Sequence, residues 1–165
     1  MKNPKVAIVM GSDSDLDIMK ESVDILKKFE ISYEVKVLSA HRSPELVREY
    51  VGVAKDRGIQ VLIAGAGGAA HLAGVLAAHT ILPVVGVPIN ATPLNGMDAL
   101  LATVQMPAGI PVATVAVGKA GAQNAAILAA QMLALSDKEL SKKLENYKKD
   151  LEAGVRKKDE KVKNI

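Results

Sequence analysis

The sequence has no cysteine and no tryptophan, and aromatic residues make up only 2% of its 165 residues. Without cysteine there can be no disulfide and no thiolate nucleophile or ligand, which fits a reducing compartment. With so few rings, the base-stacking platforms of single-strand nucleic-acid binders are excluded. No apolar run approaches the ~18–20 residues needed to span a bilayer. The opening stretch, MKNPKVAIVM, lacks the charged-then-apolar pattern and the small-residue cleavage site of a signal peptide. The expectation is a soluble cytoplasmic protein that meets no membrane. The sequence has three histidines, no HxxxH spacing and no clustered acids, so no metal or cofactor is expected.

What is abundant is small and aliphatic. Hydrophobic residues make up 49% of the chain, enough for a sizeable core built from Val, Ile, Leu and Ala. The net charge is +3 and the pI about 9.0. The lysines concentrate between Lys138 and Lys163 and are interleaved with acids, which reads as a solvated helix face. No aromatic or motif support accompanies them, so no nucleic-acid partner is expected.

Strand-like and helix-like segments alternate. KVAIVM (5–10), YEVKVLS (33–39), QVLIAG (60–65), VVGVP (84–88) and PVATVAV (111–117) read as strands. Between them, DLDIMKESVDILKKF places Leu16, Met19, Val23 and Leu26 at helical spacing. A second helix follows Ser43 as N-cap, with Pro44 in the first helical position and Gly58 as a stop. Further helices fall near 69–79, 96–105 and 121–134. Uninterrupted apolar strands are those buried on both faces. Five of them with intervening helices predict an α/β fold: a flavodoxin-like, three-layer α/β/α sandwich on a parallel sheet. The length fits one domain, 1–165, with 137–165 as a charged C-terminal helical tail. The small-residue helix at 121–134 is apolar on nearly every side and reads as buried all round, which points to an oligomer covering its outer face.

In an open parallel sheet, ligands bind beyond the carboxyl ends of the strands. Three loops there stand out. After the first strand, Gly11 permits a tight turn into Ser12, Asp13, Ser14 and Asp15. Backbone N–H groups and hydroxyls there suit an anion, and a carboxylate at Asp15 suits paired ribose hydroxyls. Plain helix capping is the other reading of the same residues. After the second strand comes SAHRS (39–43). His41 is a side chain able to give and take a proton near neutral pH, and Arg42 offers a planar fork for phosphate or carboxylate. After the third comes GAGGAAH (65–71), whose Gly65, Gly67 and Gly68 bring bare backbone towards a ligand. It is neither a Walker loop nor GxGxxG. His71 contacts the ligand or caps the next helix, and His79 reads as structural. Together the loops predict proton chemistry on a sugar phosphate or mononucleotide.

At these residues the sequence resembles the PurE family of N5-carboxyaminoimidazole ribonucleotide mutases. The likeness runs through GSDSD, SAHR, GAGGAAHL and the stretch 94–131, and so covers the chain to about residue 135. The resemblance implies a homo-octamer with active sites at subunit interfaces. It also implies conversion of N5-carboxyaminoimidazole ribonucleotide (N5-CAIR) into 4-carboxy-5-aminoimidazole ribonucleotide (CAIR), without cofactor. His41 is then the general acid and base. Ser12, Asp15 and Arg42 bind the substrate, Ser14 and Ser39 help at its phosphate, and Ala40 lines the site. Gly65, Ala66, Gly67, Gly68 and His71 enclose the migrating carboxyl group. A related branch carboxylates aminoimidazole ribonucleotide (AIR) directly with carbon dioxide. Its members carry Lys at the position of Arg42 and lack the GAGGAAH form, so Arg42 and His71 favour the mutase branch. The chain departs from the family pattern at Ala73, at Ala99 and around Ala77–Thr80, which bears on packing of the third loop and fourth helix. Two other classes compete: a mononucleotide-binding module with no catalytic histidine, and a structural oligomer whose glycines serve packing alone.

Overall fold

A computed structural model describes residues 3–163. The strands are β1 (Val6–Met10), β2 (Tyr33–Val37), β3 (Val61–Gly67), β4 (Val84–Ile89) and β5 (Ala113–Thr114). The helices are α1 (Leu16–Lys28), α2 (Pro44–Gly52), α3 (Leu72–Ala78), α4 (Met97–Val104), α5 (Lys119–Ala134) and α6 (Lys138–Val162). The strands form one parallel sheet in the order β2-β1-β3-β4-β5. This is the flavodoxin-like order, with its switch point between β1 and β3.

Alternation along the strands assigns the layers. Val6, Ile8 and Met10, with Val61 and Ile63, face Met19 and Leu26 of α1, the alanines of α5 and Leu140 of α6. Ala7 and Val9, with Leu62 and Ala64, face Val47 and Val51 of α2 and Leu72 and Leu76 of α3. Side chains alternate across a strand, so a central strand must be apolar at every position to fill both cores. β1 does so, with all five residues buried.

Several sequence expectations change. β2 is an edge strand, and its Val35 and Val37 are 36% and 54% exposed, so it is not buried on both faces. β5 has two residues rather than seven. α2 stops at Gly52, and turns carry the chain to Gly58, whose φ of +93° suits glycine. Ser43 precedes α2 but does not cap it with its side chain. Its hydroxyl instead bonds both the carbonyl and the N–H of Ser39, each at 3.0 Å, closing the loop on itself.

α5 is not buried all round. Ala122, Ala125, Ala126, Ala129 and Ala130 are fully buried, while Gln123, Asn124 and Gln131 face outwards. The sheet, α1 and α6 cover its apolar face within this chain. Its start is tight: a Cβ on Gly121 would lie 1.6 Å from the Ala116 carbonyl oxygen. The first half of α6 docks through Leu140, Leu144 and Tyr147, with Tyr147 edge-on to Phe29 at 5.4 Å. Its second half exposes Leu151, Val155 and Val162. The departures at Ala73 and Ala99 are both buried, and Ala99 offers its carbonyl to the Thr103 hydroxyl at 2.7 Å. Small side chains there allow α3 and α4 to sit close to Gly86, where any Cβ would strike Thr103 and Val112.

Candidate active site

The loops leaving β1, β2, β3 and β4 meet in one cleft of about 400 Å³ at the carboxyl ends of the strands. A larger cavity of about 500 Å³ lies at the opposite edge, where Lys5 and Ser32 precede β1 and β2. Ion pairs between Lys5 and Asp137, and between Lys143 and Glu30, cross it. It is the seam where α6 docks, and it carries none of the histidines. Open parallel sheets bind ligands at the other rim, and the cleft there is the candidate site.

The first wall comes from β1. Ser12 precedes a 3-10 turn, Asp13–Asp15, and its hydroxyl accepts the Ser14 N–H at 3.3 Å. The serine therefore caps the turn, and it also lines the cleft. Asp15 is only 6% exposed. Burial pushes its carboxyl above the ordinary carboxylate range, and hydrogen bonds from Ser12 and Ser14 with the nearby Arg42 charge offset this only in part. Gly11 has no positive φ; it contributes its carbonyl oxygen, which accepts Arg42 Nη2 at 2.9 Å.

The second wall is the β2 loop: Ser39, Ala40, His41 and Arg42. Ser39 Oγ accepts the Arg42 backbone N–H at 3.1 Å and Nε at 3.3 Å. Arg42 thus ties the second loop to the first, while its side chain stays exposed to the cleft.

The third wall is Ala66, Gly67, Gly68, Ala69, His71 and Leu72. His41 Nε2 lies 2.8 Å from His71 Nδ1 across the cleft. Gly68 has φ +60°, and a Cβ on Gly67 would lie 2.7 Å from that of Ala91. Gly65 is the one sequence-named site residue that does not line the cleft. β3 continues through Gly67, so Gly65 is a mid-sheet residue paired with Met10 and Val87. A Cβ there would meet the Met19 sulfur at 2.4 Å, so its smallness serves the core. His79 stands apart as well, exposed at the end of α3.

Sequence reading missed the fourth wall, Ala91 and Thr92. The Thr92 hydroxyl donates to Asp98 at 2.6 Å and accepts the Leu94 N–H at 3.2 Å. This hydrogen bond holds the Asp98 carboxyl below its ordinary range. Asp98 Oδ1 is buried and without a hydrogen-bond partner. The signal available was the position just after β4, by the same rule that selected the other loops. Among the described residues, no three His, Asp or Glu side chains gather in a way that could hold a metal ion.

Residues 5–154 match the family described as AIR carboxylase. The chain belongs to this AIR carboxylase, or PurE, family. The N5-carboxyaminoimidazole ribonucleotide mutase of Pyrococcus abyssi is 58% identical over 148 residues, spanning 90% of this chain and 84% of that one. The mutase of Bacillus subtilis is 54% identical over 152 residues, spanning 92% and 94%. The crystal structure of Treponema denticola PurE superposes with a TM-score of 0.87 at 30% identity, covering 97% of this PurE-family chain and 99% of its own.

Proposed function

We propose that this chain is an N5-CAIR mutase, moving a carboxyl group from the exocyclic nitrogen of the aminoimidazole to ring carbon C4. The observation that carries the reading is His41 at the mouth of a cleft that also holds Arg42, Asp15 and a bare glycine edge. A site built only to hold a mononucleotide has no need of an imidazole there. The mutase names of relatives at 58% and 54% identity support the same conclusion.

The chemistry follows from the walls. Arg42, with Ser12, Ser14 and Ser39, takes the phosphate as a fork and a set of hydroxyls. Asp15 accepts the ribose hydroxyls. Its carboxyl lines the cleft and is raised by burial, and two ligand hydroxyls would add donors to those from Ser12 and Ser14. Protonated His41 gives its proton to the exocyclic nitrogen as the N–C bond breaks, and that electron pair stays on nitrogen. Carbon dioxide is released into the space bounded by Ala40, Ala66, Gly67, Gly68 and His71. C4 then uses its ring electrons to bond the carbon, and neutral His41 removes the C4 proton. Proton count is unchanged over the cycle, so the protein supplies positioning, water exclusion and one shuttle.

Residues 1–165 act as one domain whose α6 is an arm. The exposed Leu94, Met97, Leu101 and Val104 on and beside α4, and the free half of α6, support assembly into an octamer with shared active sites. Among the described residues, no helix is long and apolar enough to cross a membrane. The proposed setting is the cytoplasm, with no membrane or nucleic-acid partner.

Direct AIR carboxylation is the second reading, favoured by the description of the family itself. Two substrates offered separately decide between them: N5-CAIR without bicarbonate, and AIR with carbon dioxide. The mutase converts the first faster. Faster conversion of the second assigns the chain to the carboxylase branch.

A further inference from the structure

Two imidazoles touch inside the cleft, and they come from different loops. His41 Nε2 and His71 Nδ1 are 2.8 Å apart, with the rings near perpendicular at 83° and their centroids 4.9 Å apart. A neutral imidazole has one N–H and one lone pair. At this distance one nitrogen must donate and the other accept, because two N–H groups cannot face each other. Neutral histidine favours the Nε2–H tautomer, and the contact suits that form in both rings at once. His41 Nε2–H then donates and His71 Nδ1 accepts.

We infer that His71 is a positioning residue that fixes the tautomer and orientation of the His41 ring through this hydrogen bond. By occupying His41 Nε2, it leaves His41 Nδ1 as the nitrogen that exchanges a proton with the ligand. The bond one ring nitrogen makes sets the state of the other. In the singly charged pair, Nδ1 carries the proton that leaves. In the neutral pair, it carries the lone pair that takes the proton back.

The surroundings leave this to the two rings themselves. Arg42 points at the Gly11 carbonyl and Ser39, and Asp15 is buried in the first wall. Glu45 at the start of α2 pairs outwards with Arg48 at 2.9 Å. Asp98, behind the fourth wall, is bonded to Thr92. α3 carries no charged residue.

The catalytic consequence rests on the mutase reading, but the proton sharing can be measured without substrate. The chain has three histidines, so the full-length protein labelled with 15N-histidine gives three resolvable rings. His79 lines a separate cavity with Lys55 and Asp56 and serves as the internal reference. Long-range 1H–15N spectra report the tautomer of each ring, and a scalar coupling between the two nitrogens reports the N–H···N bond itself. We expect His41 in the Nε2–H form, with its Nε2 coupled to His71 Nδ1 across the 2.8 Å contact. His71→Ala should abolish that coupling and shift the His41 Nε2 proton, while the His79 ring signals are unmoved. His71→Asn should recover much of the His41 Nε2 proton shift, since its amide oxygen accepts Nε2–H. With N5-CAIR, His71→Ala should lower kcat by a larger factor than it raises KM, and His71→Asn should recover part of the loss.

His71 is exposed, so both variants should fold. No coupling between the two rings in the wild type, or identical His41 spectra in the wild type and His71→Ala, would overturn the proposal. The coupling in a protein that converts neither substrate would leave the pair standing and remove the mutase reading.

Discussion

The molecule holds two polar clusters around a carboxylate, and the carboxylates respond in opposite directions. At the outer edge, Glu34 of β2 accepts the Tyr50 hydroxyl at 2.6 Å and Arg57 Nη2 at 2.5 Å. Burial alone would raise its pKa, but these bonds outweigh it and hold the carboxyl below its ordinary value. The Tyr50 hydroxyl is pushed up in turn, by burial and by the carboxylate it serves. In the cleft, Asp15 is buried with weaker compensation and its carboxyl is raised. Glu34 is complete within its own chain and serves the fold. Asp15 lines the cleft, and its hydrogen bonds from Ser12 and Ser14 offset its burial only in part.

The strongest way to sharpen that contrast is His41→Asn. It should lower turnover by ~10²–10⁴-fold, the usual worth of an acid–base residue, and leave nucleotide binding intact. Titration calorimetry with CAIR and a steady-state assay check both halves.

Next is Gly67→Ala, whose added methyl would sit 2.7 Å from Ala91 Cβ and 3.1 Å from the Ile89 carbonyl. The third and fourth walls must part. The cost to stability should be about 1–3 kcal/mol, as for other overpacked sites, and KM should rise. Urea titration and kinetics read these.

Tyr50→Phe removes one donor to Glu34 and should cost about 1–2 kcal/mol, with kcat and KM unchanged. Equal loss of activity would mean the edge cluster is not merely structural.

The smallest effect is the most discriminating. Asp15→Asn should weaken substrate binding yet leave thermal stability equal or higher at neutral pH. The sign follows from linkage. A carboxyl raised in the folded state is a penalty that is absent below its ordinary value of 3.8 and grows as pH rises. Glu34, lowered, contributes stability above its ordinary value of 4.5 that is lost as pH falls. Melting curves from neutral to acid should therefore show the Asp15→Asn advantage shrinking and the Glu34→Gln deficit shrinking.

The central sheet was legible because β1, β3 and β4 must be apolar at every position to feed two cores. β2 misled, because YEVKVLS has strand-forming residues whether its faces are covered or open. β5 misled in length, because an apolar run does not say how much of it finds a partner. The three site loops were legible because each places hydroxyls, glycines or imidazole just after a strand. Thr92 was not: a lone threonine in NATP carries no chemical signature until Asp98, six residues on, is folded against it. Gly65 reads as part of the third loop yet does not line the cleft, because a run of glycines looks the same whether it faces a ligand or a methionine.

The direct test of a carboxyl transfer within the cleft is to follow the carbon itself. N5-CAIR labelled with 13C in its carboxyl group would be converted in unlabelled bicarbonate, and the CAIR formed early analysed by mass spectrometry. Retention of nearly all the label is the predicted result. CAIR carrying the isotopic composition of the bicarbonate would mean that carbon dioxide escapes to solvent before C4 attacks, and the account of the cleft would fail.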